Sequence, residues 1–112
     1  MIKLKEILLE STAPNIFIPR RIDDRLERYI KNYVRNGSKG ILNLGDRGLT
    51  QLPAILKYVN VGDDFDCSDN NLTSLGGAPH SVGGDFICRD NVVTFKESQV
   101  RAVCDVKGRV SV

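Results

Sequence analysis

The side chains best suited to chemistry in this 112-residue chain are three cysteines, one histidine and a group of aspartates. Cys67 and Cys88 could form a redox pair, or join His80 around zinc, but their separations match no zinc-ligand pattern. Asp63, Asp64, Asp66, Asp69, Asp85 and Asp90 carry the hard oxygen ligands that calcium takes, without the spacing of a calcium loop. Nothing around His80 marks a nucleophile and its base, so no Ser-His-Asp or Cys-His arrangement can be assembled. These residue types predict buried free thiols and a solvated acidic surface. No catalysis, no metal and no cofactor is expected.

Cations concentrate elsewhere. Residues 1–39 sum to +4, residues 40–95 to −4 and residues 96–112 to +2, so the net charge of +2 conceals a basic, acidic, basic order. A dipolar chain of this kind is a poor nonspecific polyanion binder over its whole surface. The basic series Arg20, Arg21, Arg25, Arg28, Lys31 and Arg35 could still meet phosphates. Interleaved acids, and the lack of an exposed aromatic for base stacking, favour a solvated helix face. Nucleic acid therefore stands as the alternative partner.

The positioning elements emerge from an internal repeat. Leu42, Leu44, Leu49 and Leu52 recur as Phe65, Cys67, Leu72 and Leu75, and again as Phe86, Cys88 and Val93. Asn70 and Asn91 hold one slot of successive units, where the first unit has Arg47, and Lys96 stands where the third should have an apolar residue. Each unit reads as a short strand whose alternate side chains point inward, a turn, and an extended return. The asparagine amide can satisfy buried backbone groups of the turn. Glycines and prolines, among them Gly76-Gly77 and Gly83-Gly84, punctuate the returns.

With these residues in place, the units resemble short bacterial-type leucine-rich repeats over residues 40–96, closest to repeat proteins encoded by large tailed bacteriophages. The resemblance implies an α/β solenoid: a short leucine-rich-repeat array with an N-terminal capping helix and a C-terminal capping helix plus final strand. The expected parts of this single domain are a leader or extended segment (1–19), a capping helix (20–38), about three repeats (39–96) and a C-terminal cap (97–112).

Ile22, Leu26, Tyr29, Ile30, Tyr33 and Val34 recur at helical spacing ahead of an Asn36-Gly37 stop, and Ile16-Phe17-Ile18 offers an added apolar contact. At the other end, Thr94 to Glu97 has the form of a capping box opening a helix that turns Val100, Val103 and Cys104 inward. Arg109 to Val112 alternates like a closing strand.

The outward strand positions Ile41, Asn43, Asp64, Asp66, Ser68, Asp85, Ile87 and Arg89, with Gly45 among them, are the expected partner-binding face. Ile41 and Ile87 would serve as apolar anchors for a protein. The alternative face is basic: Arg21, Arg25, Arg28, Lys31 and Arg35.

Apolar runs are too short to cross a bilayer, and Met1 to Glu10 is too charged for a secretory signal, so a cytoplasmic protein is expected, in the host if phage-encoded. That segment also resembles the capsid-targeting leader of phage internal head proteins, cleaved after a leucine-x-glutamate triplet. Leu8, Glu10 and Ser11 fit the pattern, which implies packaging in the virion; a docked amphipathic helix is the plainer reading.

Overall fold

The computed structural model describes residues 24–112, so the leader motif Leu8, Glu10 and Ser11, the Ile16-Phe17-Ile18 stretch and Arg21 lie outside the described residues. Helix α1 spans Asp24–Arg35. Leu26, Ile30 and Tyr33 share one face and are buried, with Tyr29 packed beside them. Val34, expected inward, is 47% exposed because it stands past the edge of that stripe. Gly37 (φ +98°) and Ser38 (φ +56°) end the helix in the left-handed region, their N–H groups donating to the Val34 and Tyr33 carbonyls at 3.0 Å each.

Beyond α1 the chain builds two parallel sheets from strands only two residues long. The first sheet runs β1 (Leu42–Asn43), β3 (Phe65–Asp66), β5 (Phe86–Ile87) and β7 (Val110–Ser111), in that order. The second runs β2 (Asn60–Val61), β4 (Ser81–Val82) and β6 (Asp105–Val106). Leu42, Phe65, Phe86 and Val110 align across the first sheet, and Val61, Val82 and Val106 across the second. The strands of the first sheet fall where the repeat places them, whereas the second sheet falls in segments expected only to be extended. A 3-10 turn, Ala54–Tyr58, leads into β2 and buries Leu56.

The aligned inward residues form one core. Phe65 and Phe86 stack with ring centroids 5.1 Å apart, and Leu44, Cys67 and Cys88 form the next buried row. Two expected core positions are corrected. Val93 is 38% exposed, and the slot that Lys96 leaves unfilled is taken from one residue earlier by Phe95, at 5% exposure. Helix α2 spans Glu97–Val103, packs on β6 and β7, and buries Val100 and the following Cys104. Val103 ends the helix at 49% exposure rather than facing inward. In place of the expected Thr94–Glu97 box, one half of such a box forms two residues on, where the Lys96 N–H donates to Gln99 Oε1 at 2.8 Å and the lysine side chain has no acceptor to return the bond.

Asn70, 5% exposed, joins one unit to the one before it. Its Oδ1 accepts the N–H groups of Arg47 and Leu49 at 3.0 Å each, and its Nδ2 donates to the Leu44, Cys67 and Ser68 carbonyls. Asn91 repeats the arrangement one unit later, accepting from Leu72 N–H and donating to the Cys67 carbonyl. Arg47 holds the slot in the first unit, where no earlier turn exists within the repeat. Its guanidinium instead donates to the Asn43 carbonyl and lies 5.2 Å from the centre of the Tyr29 ring.

Asn70→Ala would strand several buried polar groups and is expected to lower stability by about 3 kcal/mol, against under about 0.5 kcal/mol for Asn71→Ala at the exposed neighbouring position. Urea denaturation of both variants checks this.

Candidate functional site

The outward residues of the first sheet fall into three aligned rows. The middle row is Asn43, Asp66, Ile87 and Ser111, in direct register. Ile41, Asp64, Asp85 and Arg109 precede it, and Gly45, Ser68 and Arg89 follow it. The structure thus brings the expected partner-binding residues onto one sheet face, but they are not equally available. Ile41 is 56% exposed and Asn43 and Arg89 are exposed, whereas Asp64, Asp66, Asp85 and Ile87 are half-buried. Ser68 is a correction: it is buried, and its hydroxyl accepts the Arg89 N–H at 3.0 Å, so it holds the sheet rather than a partner.

Several polar side chains on this face also serve the backbone. Asn43 Oδ1 accepts the Gly45 N–H and Asp66 Oδ1 the Ser68 N–H, two equivalent local turns. Asp64 Oδ1 reaches the next unit to accept the Asp85 N–H at 2.8 Å, and Asp85 Oδ1 does the same for the Arg109 N–H at 2.9 Å. Each reach requires a glycine. A Cβ on Gly84 would collide with Asp64 Oδ1, and one on Gly108 with Asp85 Oδ1. The first unit has Ile41 in place of the aspartate, and the residue equivalent to Gly84 is there Asp63, which carries a side chain freely. The Gly84 backbone also closes in on Gly108, and Asp63 on Gly84, so the carboxylate is one of several neighbours that exclude a side chain there.

The acidic turns contain a second regularity that the sequence reading missed. Asp46, Asp69 and Asp90 occupy one slot of successive units and all lie at φ between +53° and +57°. Aspartate tolerates this left-handed conformation better than most residues. The recurring Asp before Arg47, Asn70 and Asn91 was the available signal.

Cys67, Cys88 and Cys104 are free and buried. The hydrogen bond with Cys88, and then burial, hold the Cys67 thiol protonated well above its usual range, while the same bond draws Cys88 down. Burial first, and then the Asp105 charge, push Cys104 from its ordinary value near 9 up to about 11. Burial likewise raises Tyr33 above its ordinary value. His80 is exposed and contributes its backbone to the second sheet, its N–H donating to Val59 and its carbonyl accepting from Asp105. Among the described residues no three His, Cys, Asp or Glu side chains gather to hold a metal ion, and no helix is long and apolar enough to cross a membrane.

On α1, Arg25, Arg28, Lys31 and Arg35 are exposed, in line with the alternative basic face. One premise is corrected: an exposed aromatic does stand nearby. Tyr58, 76% exposed, shares a groove with Lys31 and Arg35 because the 3-10 turn sets it against α1. Sequence reasoning missed Tyr58 because it lies outside both the helical and the repeat pattern.

No protein-family model matches the chain, and comparison with curated proteins and with solved structures found no match.

Two outcomes follow from this geometry. Gly84→Ala is expected to cost about 1–3 kcal/mol in the parent and somewhat less in an Asp64→Ala background, because losing the carboxylate relieves the closest contact and leaves those with Asp63. A double-mutant cycle by thermal denaturation measures the coupling. Cys104 and Tyr33 keep their protons longer when folded than when unfolded, so their stabilisation is complete below about pH 9 and is lost as pH rises toward 11. Melting temperatures recorded from pH 8 to 11 should fall steadily, and a flat profile would contradict the assignment.

Proposed function

We propose that the chain is a short, capped array of leucine-rich-type repeats that binds a protein partner through the strand face of its first sheet and has no catalytic role. The resemblance of residues 40–96 to phage-encoded repeat proteins supports a host or phage protein as that partner. The observation that carries the reading is the alignment of outward side chains on the first sheet, with Ile41 at 56% exposure beside Asn43 and Asp66. An exposed aliphatic side chain gives a partner apolar surface to cover, and the fixed polar groups around it set the register of the contact. Parallel strands held unit to unit keep that row rigid, which limits the ordering cost of association.

Chemistry on the protein itself suits a binding module better than an enzyme. The thiols are buried, the carboxylates of Asp64 and Asp85 are tied to backbone N–H groups, and His80 stands on the second sheet's side of the unit.

The test is affinity capture from a bacterial host lysate treated with nuclease, comparing the parent with an Ile41→Glu, Asp66→Asn variant. Asparagine keeps the oxygen that accepts the Ser68 N–H, so the variant changes charge and anchor without opening that turn. The parent should retain a discrete protein, and the variant should retain it at least about tenfold less well. Equal retention would refute the strand face. A partner removed by nuclease, and lost with Arg28→Glu and Lys31→Glu, would transfer the function to nucleic acid and the basic helix.

A further inference from the structure

A second surface stands apart from the strand face. Where the 3-10 turn meets the end of α1, Val34, Ile55, Tyr58 and Val59 line a groove of about 360 Å3, with Lys31 and Arg35 on its helix side. Val34 is 47% and Tyr58 76% exposed, so the groove presents apolar side chains to water. Packing among the described residues does not explain Val34. Leu26, Ile30 and Tyr33 already anchor α1, and valine is a weak helix former where packing does not demand it. A polar residue would serve an exposed helix position better.

The charged residues that line the groove, Lys31 and Arg35, are both cations. Among the described residues Lys31 meets one carboxylate, Glu27, at 3.7 Å, with both side chains about half exposed, so water competes strongly for the pair. Arg35 donates to the neutral amide of Asn32 at 3.1 Å and so keeps its full charge for a partner. Lys57 adds a third cation, its Nζ lying 5.3 Å from the centre of the Tyr58 ring. Two aliphatic walls, an aromatic ring and three cations complement a segment with an apolar side chain on one side and carboxylates on the other.

We propose that this groove docks an acidic amphipathic segment of a partner protein, with one apolar side chain seated between Val34 and Tyr58 and carboxylates meeting Lys31, Arg35 and Lys57. Protein is favoured over a single nucleic-acid strand by the lining. Val34, Ile55 and Val59 give sugars and base edges nothing to bond, and Lys57 already covers one face of the only aromatic ring in the groove. The groove shares no residue with the strand face, so either surface can fail without the other.

Fluorescence anisotropy with three labelled probes tests the assignment on the full chain. One probe is an amphipathic peptide with leucines at helical spacing and glutamates elsewhere, the second replaces glutamate with lysine, and the third is a thymidine oligonucleotide. The glutamate peptide should bind with a dissociation constant near the micromolar range, and the lysine peptide at least about tenfold more weakly. Val34→Ser and Tyr58→Ala should each weaken the glutamate peptide about fivefold or more, and so should raising the salt from low to several hundred millimolar. Both positions are exposed, and unchanged circular dichroism would confirm that the variants fold. Absence of glutamate-peptide binding, or binding unaffected by both variants, would overturn the proposal. Oligonucleotide binding lost in Tyr58→Ala would reassign the groove to nucleic acid. Self-association lost in the same variant would reassign it to a second copy.

Discussion

A buried turn needs a partner for every backbone polar group, and in this protein that need falls mainly on one amide. The backbone ladder between units runs past the two-residue strands as far as Asp46 and Asp69, whose N–H groups donate to the Ser68 and Arg89 carbonyls, and the Arg47 and Leu49 N–H groups lie beyond it. Asn70 supplies both missing functions at once, accepting two N–H groups from the preceding unit and donating to carbonyls of both units. Asparagine is suited to this because its short side chain ends in an acceptor and two donors at fixed separation. Aspartate would lack the donors, and glutamine would not fit the same reach. With the turn fixed, the next strand starts in register, and Cys67 and Cys88 or Phe65 and Phe86 meet as equivalent neighbours.

The same requirement governs the first and last units. Tyr29 accepts the Asn43 N–H that points away from β3, and the Tyr33 hydroxyl bonds the Ser38 and Gly40 carbonyls while accepting the Gly62 N–H. These two phenols do for the first unit what an earlier strand would do. In the second sheet, Val61 and Asp63 carbonyls accept from Gly83 and Gly84, and one unit later Val82 and Gly84 accept from Lys107 and Gly108. The next carbonyls in the series, Val106 and Gly108, accept from the guanidinium of Arg101, each at 2.9 Å. A planar fork of N–H donors reproduces the spacing of two backbone amides, a geometry that lysine could not supply. Helix α2 therefore closes the second sheet chemically as well as covering apolar surface.

The legible parts of the fold are those in which one residue type recurs at one slot. Leu42, Phe65 and Phe86 identified the strands, and Leu26, Ile30 and Tyr33 the buried face of α1. What escaped depends on single positions or on geometry between units. Each strand of the second sheet offers a single buried residue, Val61, Val82 or Val106, without the second inward row that Leu44, Cys67 and Cys88 add to the first. Phe95 replaces Lys96 by a shift of one residue, which a fixed spacing misassigns. Arg101 and Tyr29 act through polar atoms rather than through burial pattern, and Tyr58 belongs to no pattern. The strand-face residues were legible as a set, yet their division between structural and surface roles was not. Ser68 looks outward by alternation and is claimed by the neighbouring Arg89 N–H.

That division bears on where recognition can be encoded. Asp64 and Asp85 cannot change without disturbing the bond to the next unit, and each adds to the crowding that keeps the residue opposite a glycine. Asn70 and Asn91 are bound to the turns, and Asp46, Asp69 and Asp90 to a left-handed backbone. These slots repeat because the backbone requires them to. The middle row of the sheet obeys a weaker rule. Asn43, Asp66, Ile87 and Ser111 stand in one register and carry four different chemistries, amide, carboxylate, aliphatic and hydroxyl. Only the first two of them form the short turn to a neighbouring N–H. A position that varies while its neighbours repeat is one that the stacking of units leaves open. On the proposed reading, the identity of a partner would be written chiefly in this row and in Ile41 beside it, with the repeated residues acting as the frame that holds the row straight.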